Sequence, residues 1–280
     1  VSRGLGDVYK RQAKESSASA IAQLARGSRS TQDAITQAGG IPLLVAVLAS
    51  SSSSKGDVSG QPLDANVTYA IWMLAKENTA NQLALAEAGV ISPLVSRLSN
   101  ASRKLQLPAT GVLECLVQIR DLQAPIVQKG AIAPLCMLSR DGELETQEQA
   151  AAVLWSLAKQ LPTSEKQAEQ TKSVVANRTT IAKLGGIDSL VKMLASGGSE
   201  KSHINAAGAL SAIAIKHSEN RGTIARRIVS QLNGKLAPNV ASRILAGIST
   251  MCGHKCSDGR LVDEHLSLIH ISEPTRHSII

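Results

Sequence analysis

With 280 residues, no phenylalanine, two tryptophans and two tyrosines, the chain cannot build its interior on large aromatics, so its 43% hydrophobic content must pack through small and aliphatic side chains. Its net charge of +8 is spread with both signs present, and it lacks the dense basic stripe and aromatic interleaving of a nucleic-acid binder. Four scattered cysteines, Cys115, Cys136, Cys252 and Cys256, argue against a disulfide framework and for a reducing compartment, and no apolar run reaches the ~18 residues that a membrane helix needs.

In chain order, residues 15–26 predict a helix with Ile21, Leu24 and Ala25 on one stripe. Residues 31–38 predict a short helix ended by Gly39. Residues 41–48 predict a second, with Pro42 in its first turn, where a missing N–H costs little. Five serines open a polar loop at 50–61, and 64–76 predict a third helix with Trp72 near its end. The order then returns: Asn81 is predicted to cap a first helix closed by Gly89, 91–98 follow with Pro93, and 104–120 form a third helix in which Pro108 takes the first turn or makes a kink.

The next unit has Pro125 in its first helix and Gly130 at its corner. Its second helix, with Pro134, is expected to be short, because one residue is missing before Leu138. Residues 145–159 predict its third helix, carrying Trp155, and 160–176 read as a polar insertion. Asn177 and Asn220 are given the capping place of Asn81, with Ile181 and Ile224 four residues on. Gly185 makes a fourth corner, whereas Arg226-Arg227-Ile228 runs straight on and predicts first and second helices that are fused or degenerate. Residues 239–251 predict a last third helix, and from Cys252 the sequence is polar.

The four corners share one skeleton: Ile35-Gly39-Ile41-Leu44, Leu85-Gly89-Ile91-Leu94, Ile126-Gly130-Ile132-Leu135 and Ile181-Gly185-Ile187-Leu190. From Gly39 to Gly89, Gly130 and Gly185 the intervals are 50, 41 and 55 residues. The shortest falls at the ~40–47 residues of a two- or three-helix solenoid repeat, and the longer two carry the insertions. Ile71-Trp72-Met73-Leu74-Ala75-Lys76 is echoed by Leu154-Trp155-Ser156-Leu157-Ala158-Lys159, with weaker copies at 113–116, 210–213 and 21–24. In these motifs the chain resembles the armadillo repeat family over about residues 15–253. The resemblance implies an all-α, right-handed armadillo-type α-solenoid with a partial repeat at 13–30, repeats at 31–76, 79–120, 122–159, 177–216 and 220–253, and a polar tail at 254–265.

The two ends call for a different account. SRGLGDVYKRQ at 2–12 can be encoded by a DNA string whose reverse complement translates as LSLIHISEPTR, the residues at 266–276. Both peptides resemble translated transposase sequencing-adapter DNA, so 1–12 and 266–280 are expected to be non-native and are set apart from the fold.

The family resemblance further implies that third helices line a concave face. Importin-alpha-type transport adaptors place Trp there with Asn four residues later to hold a basic peptide. Here the residues four after Trp72 and Trp155 are Lys76 and Lys159, and the equivalent pairs are Ala22/Arg26, Glu114/Gln118, Ser211/Ile215 and Ala246/Thr250. The expected partner-binding residues are therefore Arg26, Trp72, Lys76, Glu114, Gln118, Trp155, Lys159 and Ser211. Two roles are open to the tryptophans, exposure on a binding face or packing between third helices. The basic residues can equally be solvated ends that complement helix dipoles.

The expected function is a non-catalytic scaffold binding a protein or peptide segment, with acidic groups favoured, no nucleic acid, no cofactor and no metal. The expected location is the cytoplasm, with the nucleus also open. Cys252, His254, Cys256 and His265 have metal-ligating side chains, but their C-x-H-x-C spacing matches no usual zinc site. One alternative is an importin-alpha-like adaptor, disfavoured by the missing asparagines. Another is the substrate-selecting array of a ubiquitin ligase or kinase whose catalytic domain lies elsewhere.

Overall fold

The computed structural model describes residues 2–50, 61–100, 102–159, 168–196, 198–215 and 217–232. Every regular element among them is an α-helix. A single helix, α1 (Ser2–Ala25), precedes four triplets. These are α2 (Arg29–Gln37), α3 (Gly40–Ser50) and α4 (Gln61–Ala75); α5 (Thr79–Glu87), α6 (Ile91–Asn100) and α7 (Arg103–Leu116); α8 (Arg120–Gln128), α9 (Ile132–Asp141) and α10 (Leu144–Ala158); and α11 (Ala168–Lys183), α12 (Gly186–Ala195) and α13 (Glu200–Ala214). A long helix, α14 (Ser218–Leu232), follows as one piece where fused or degenerate helices were expected.

The corner between first and second helices is set by the skeleton glycines. Gly39, Gly89, Gly130 and Gly185 have φ from 78° to 82°, a left-handed conformation that residues with a Cβ rarely adopt. At the most regular corner the N–H of Val90 returns to Leu85 O at 3.2 Å, and Leu85 is fully buried beneath the turn. The third helices α1, α4, α7, α10 and α13 pack each against the next, and one apolar cluster runs from Ala18 to Ile228. Each repeat thus buries its face against its neighbours, as a solenoid must. In α1 the packed part begins at Ala18. The helix reaches back to Ser2, well before residue 15, but none of residues 8–12 is buried.

The junctions between repeats correct the expected caps. Asn78, not Asn81, is the N-cap of α5: its side-chain oxygen accepts from Asn81 N at 3.0 Å. Asn81 sits one turn inside and donates from its amide to Leu74 O at 3.0 Å, a carbonyl left open at the end of α4. Asn177 and Asn220 also lie inside helices, donating to Leu157 O (3.1 Å) and Ile213 O (3.3 Å). The next position makes a parallel set: Gln82 donates to Ala75 O, and Arg178 to Ala158 O and Ile215 O. These residues recur because every third helix ends in carbonyls that the following first helix covers.

Three boundaries also differ from expectation. The third helix expected at 104–120 stops at Leu116, because α8 opens at Arg120, and α7 runs through Pro108 in its interior. The second helix expected to be short, α9, spans ten residues like α6, since Ser139, Arg140 and Asp141 prolong it. Part of the insertion expected at 160–176 is helical, because α11 begins at Ala168 and runs through Asn177. Most of the 50–61 loop, residues 160–167 and everything after Leu232 lie outside the described residues. The predicted helix at 239–251, the cysteine and histidine cluster, the tail and the second adapter-like peptide fall there.

Candidate functional site

On a helix, side chains three and four apart share a face, so each third helix carries one short stripe, part of it exposed and part packed against the next third helix. On α4 that stripe is Tyr69, Trp72 and, just past the helix end, Lys76. On α7 it holds Gly111 and Glu114, on α10 Glu148, Ala152, Trp155 and, at the C-cap, Lys159, and on α13 Lys201, Ile204, Gly208 and Ser211.

The packing role considered for the tryptophans is realised, and part of each ring stays exposed. Trp72 and Trp155 are half-buried, and each lies against the glycine of the next third helix. A Cβ on Gly111 would stand 2.4 Å from Trp72 Cε2, and one on Gly208 2.5 Å from Trp155 Cε2. Gly111 and Gly208 occupy equivalent places three residues before Glu114 and Ser211. Each indole therefore uses one flank to lock its repeat to the next and leaves the remainder open. Tyr69 meets Trp72 edge-on, with ring centroids 5.8 Å apart.

The charged residues fall around these rings. Lys76 and Lys159 are exposed, and Lys159 Nζ stands 5.7 Å from the centre of the Trp155 ring, within reach of a cation–π contact. Glu114 is half-buried, and Lys201 from α13 approaches it with Nζ 3.8 Å from Oε1. Burial raises the Glu114 pKa above its usual value, Lys201 and Lys76 pull it back, and Glu148 adds to the rise. Glu148 is held by Ser199, whose hydroxyl donates to Oε1, and its carbonyl accepts from Asn205 at 3.0 Å. Cys115, beside Trp72, has its thiol pKa pushed up to about 12, chiefly by burial with a smaller rise from Glu114.

Of the expected residues, Trp72, Lys76, Glu114, Trp155 and Lys159 share this face. Gln118 is exposed beyond the end of α7, where its amide donates to Glu114 O at 3.3 Å. Arg26 is exposed at the end of α1. Ser211 is a correction: it is 3% exposed and its hydroxyl donates to Ala207 O at 2.8 Å, so it presents nothing to a partner. Tyr69, Glu148, Lys201 and Ile204 join the face although the Trp-centred motif did not find them. The signal available was the helical spacing of Lys201 and Ile204, ten and seven residues before Ser211. Ile204 is an apolar side chain 54% exposed among charges. Among the described residues no group of three or more His, Cys, Asp or Glu is placed to hold a metal ion, and no single helix is long and apolar enough to cross a membrane.

Residues 121–159 match the armadillo/beta-catenin-like repeat. The fold is similar to designed armadillo repeat proteins. One set, computationally designed for modular peptide recognition, matches with a TM-score of 0.65 and 23% identity over 84% of this chain and 91% of the designed one. Another, in complex with the peptide (KR)4, matches at 0.63 and 22% identity over 84% and 92%. The chain is thus an all-α solenoid of the armadillo type, with an armadillo repeat matched at residues 121–159. A stretch of 90 residues is 33% identical to U-box domain-containing protein 12 of Arabidopsis thaliana, covering 31% of this chain and only 14% of that protein's length.

Proposed function

We propose that this chain is a non-catalytic scaffold that captures a segment of a partner protein along its third-helix face and favours segments carrying acidic groups. The observation that carries this is the placement of Lys76 and Lys159 directly after the two half-open tryptophans, with Lys201 on the same face. Indole edges and Ile204 offer apolar contact, and the ammonium groups offer charge-assisted hydrogen bonds to carboxylate or phosphate. The designed relative bound to (KR)4 accepts a basic peptide. Lysines in these places disfavour such a ligand by like-charge repulsion, which also weighs against an importin-alpha-like adaptor.

A second reading is supported by the likeness to a U-box protein: the array would select substrates for a ubiquitin ligase whose catalytic part lies outside these residues. The face then does the same work in a larger protein. The cytoplasm, with the nucleus as the other option, is the proposed location.

Fluorescence anisotropy with two labelled octapeptides, alternating Glu and Leu or alternating Lys and Leu, tests the proposal. Tighter binding of the acidic probe is expected. Equal or tighter binding of the basic one overturns it.

A further inference from the structure

Glu114 occupies the middle of the proposed binding face, between the repeats that carry Trp72 and Trp155. Lys201 bridges it at 3.8 Å, and the charge of Lys76 also favours its ionised form. Its place is fixed. Gly111, one turn earlier on α7, is pinned under the Trp72 indole, which holds in place the backbone from which the Glu114 side chain projects. The side chain of Glu114 is 26% exposed and that of Lys201 60%, so the bridge lies at the surface, where an arriving ligand meets it.

Resting on the acidic-segment proposal above, we infer that Glu114 is a built-in competitor for the partner's carboxylates. In the free protein it bridges Lys201, and a ligand carboxylate replaces it at that ammonium group. Lys201 thereby becomes a third cationic contact beside Lys76 and Lys159. A peptide must compete with this carboxylate, so weakly acidic segments bind less well than acid-rich ones. Selectivity of this kind comes from a repulsive element placed in the site as much as from an attractive one.

The test compares wild type with Glu114→Gln, Lys201→Gln and the double variant, using the alternating Glu–Leu octapeptide and anisotropy, with circular dichroism melts to verify folding. Gln keeps the shape of Glu and removes its charge. Glu114→Gln is expected to tighten binding about two- to fivefold, the range for partly exposed ion pairs, and the gain shrinks as salt rises. Lys201→Gln is expected to weaken binding, and to do so more in the Glu114→Gln background, where Lys201 is free for the ligand. Unchanged or weaker binding by a folded Glu114→Gln, while the wild type binds and depends on Lys76 and Lys159, overturns the competitor role and leaves the acidic-segment proposal standing. No binding of the probe by either wild type or Glu114→Gln overturns both.

Discussion

Gly111 lies directly beneath the indole of Trp72, so close that a Cβ there would fall 2.4 Å from the ring. Gly208 repeats the relationship under Trp155. In an exposed helix interior, replacing Gly by Ala stabilises by about 1 kcal/mol. Here the methyl must push the indole outward, and overpacking of this kind costs about 1–3 kcal/mol. Gly111→Ala and Gly208→Ala are therefore expected to lower the melting temperature, and Gly111→Ala is expected to be harmless or stabilising when Trp72 is first replaced by Leu. Thermal melts of the four variants in a cycle check this; a rise for Gly111→Ala in the wild-type background contradicts the lock.

The junction bonds make a second prediction. Asn81 satisfies Leu74 O and accepts from Thr36 Oγ1 at 2.8 Å, so Asn81→Ala strands a buried carbonyl and is expected to cost about 1–3 kcal/mol. Arg178 is 1% exposed; its Nη2 has no partner and no carboxylate bridges it among the described residues. Burial lowers its pKa, and its charge is borne by the carbonyl ends of α10 and α13, the negative poles of those helices. Gln holds the corresponding place at Gln82. Arg178→Gln should therefore retain more stability in urea melts than Arg178→Ala.

These junctions also show where sequence alone stops. The four corners were legible because a left-handed turn needs glycine, and the aliphatic residues around it keep fixed spacing. Asn81 was legible as a helix-start residue, but Asn78, three before it, is the cap. Only the neighbouring third helix gives Asn81 its true work, covering the carbonyl of Leu74. Trp72 and Trp155 were found from their local motif. That Gly111 and Gly208 receive them was hidden, because a glycine inside a helix reads as a weakness until the adjacent helix is in place. Ser211 failed for the converse reason. Its position in the repeat is right, but its hydroxyl turns back onto Ala207 O and burial closes it off. Lys201 was missed because it approaches Glu114 from a helix two repeats on.

Glu114 gives a pH-dependent signature. Its folded pKa is raised from the ordinary 4.5, mainly by burial, with Lys201 and Lys76 opposing the rise and Glu148 adding to it. A carboxylate whose folded pKa is raised contributes most to stability below its unfolded pKa, and that contribution is lost as pH climbs through the folded value. Glu114→Gln stays neutral throughout. Its melting temperature relative to wild type is expected to be highest near pH 7 and to converge on the wild-type value as pH falls toward 4. A difference that widens on acidification contradicts the assignment.

The proposed function rests on the lysines four residues after the two tryptophans, which would select an acidic segment. The measurement that tests it most directly is the affinity of wild type and the double variant Lys76→Asn/Lys159→Asn for the acidic and basic octapeptides across a salt series. The double variant is expected to bind the acidic probe more weakly and the basic probe more tightly. Both differences should fade as salt rises, since exposed charges are screened within ~8–10 Å near physiological ionic strength. Equal affinity of both proteins for the acidic probe at low salt would contradict the claim and leave Lys76 and Lys159 as charges that complement the ends of α4 and α10.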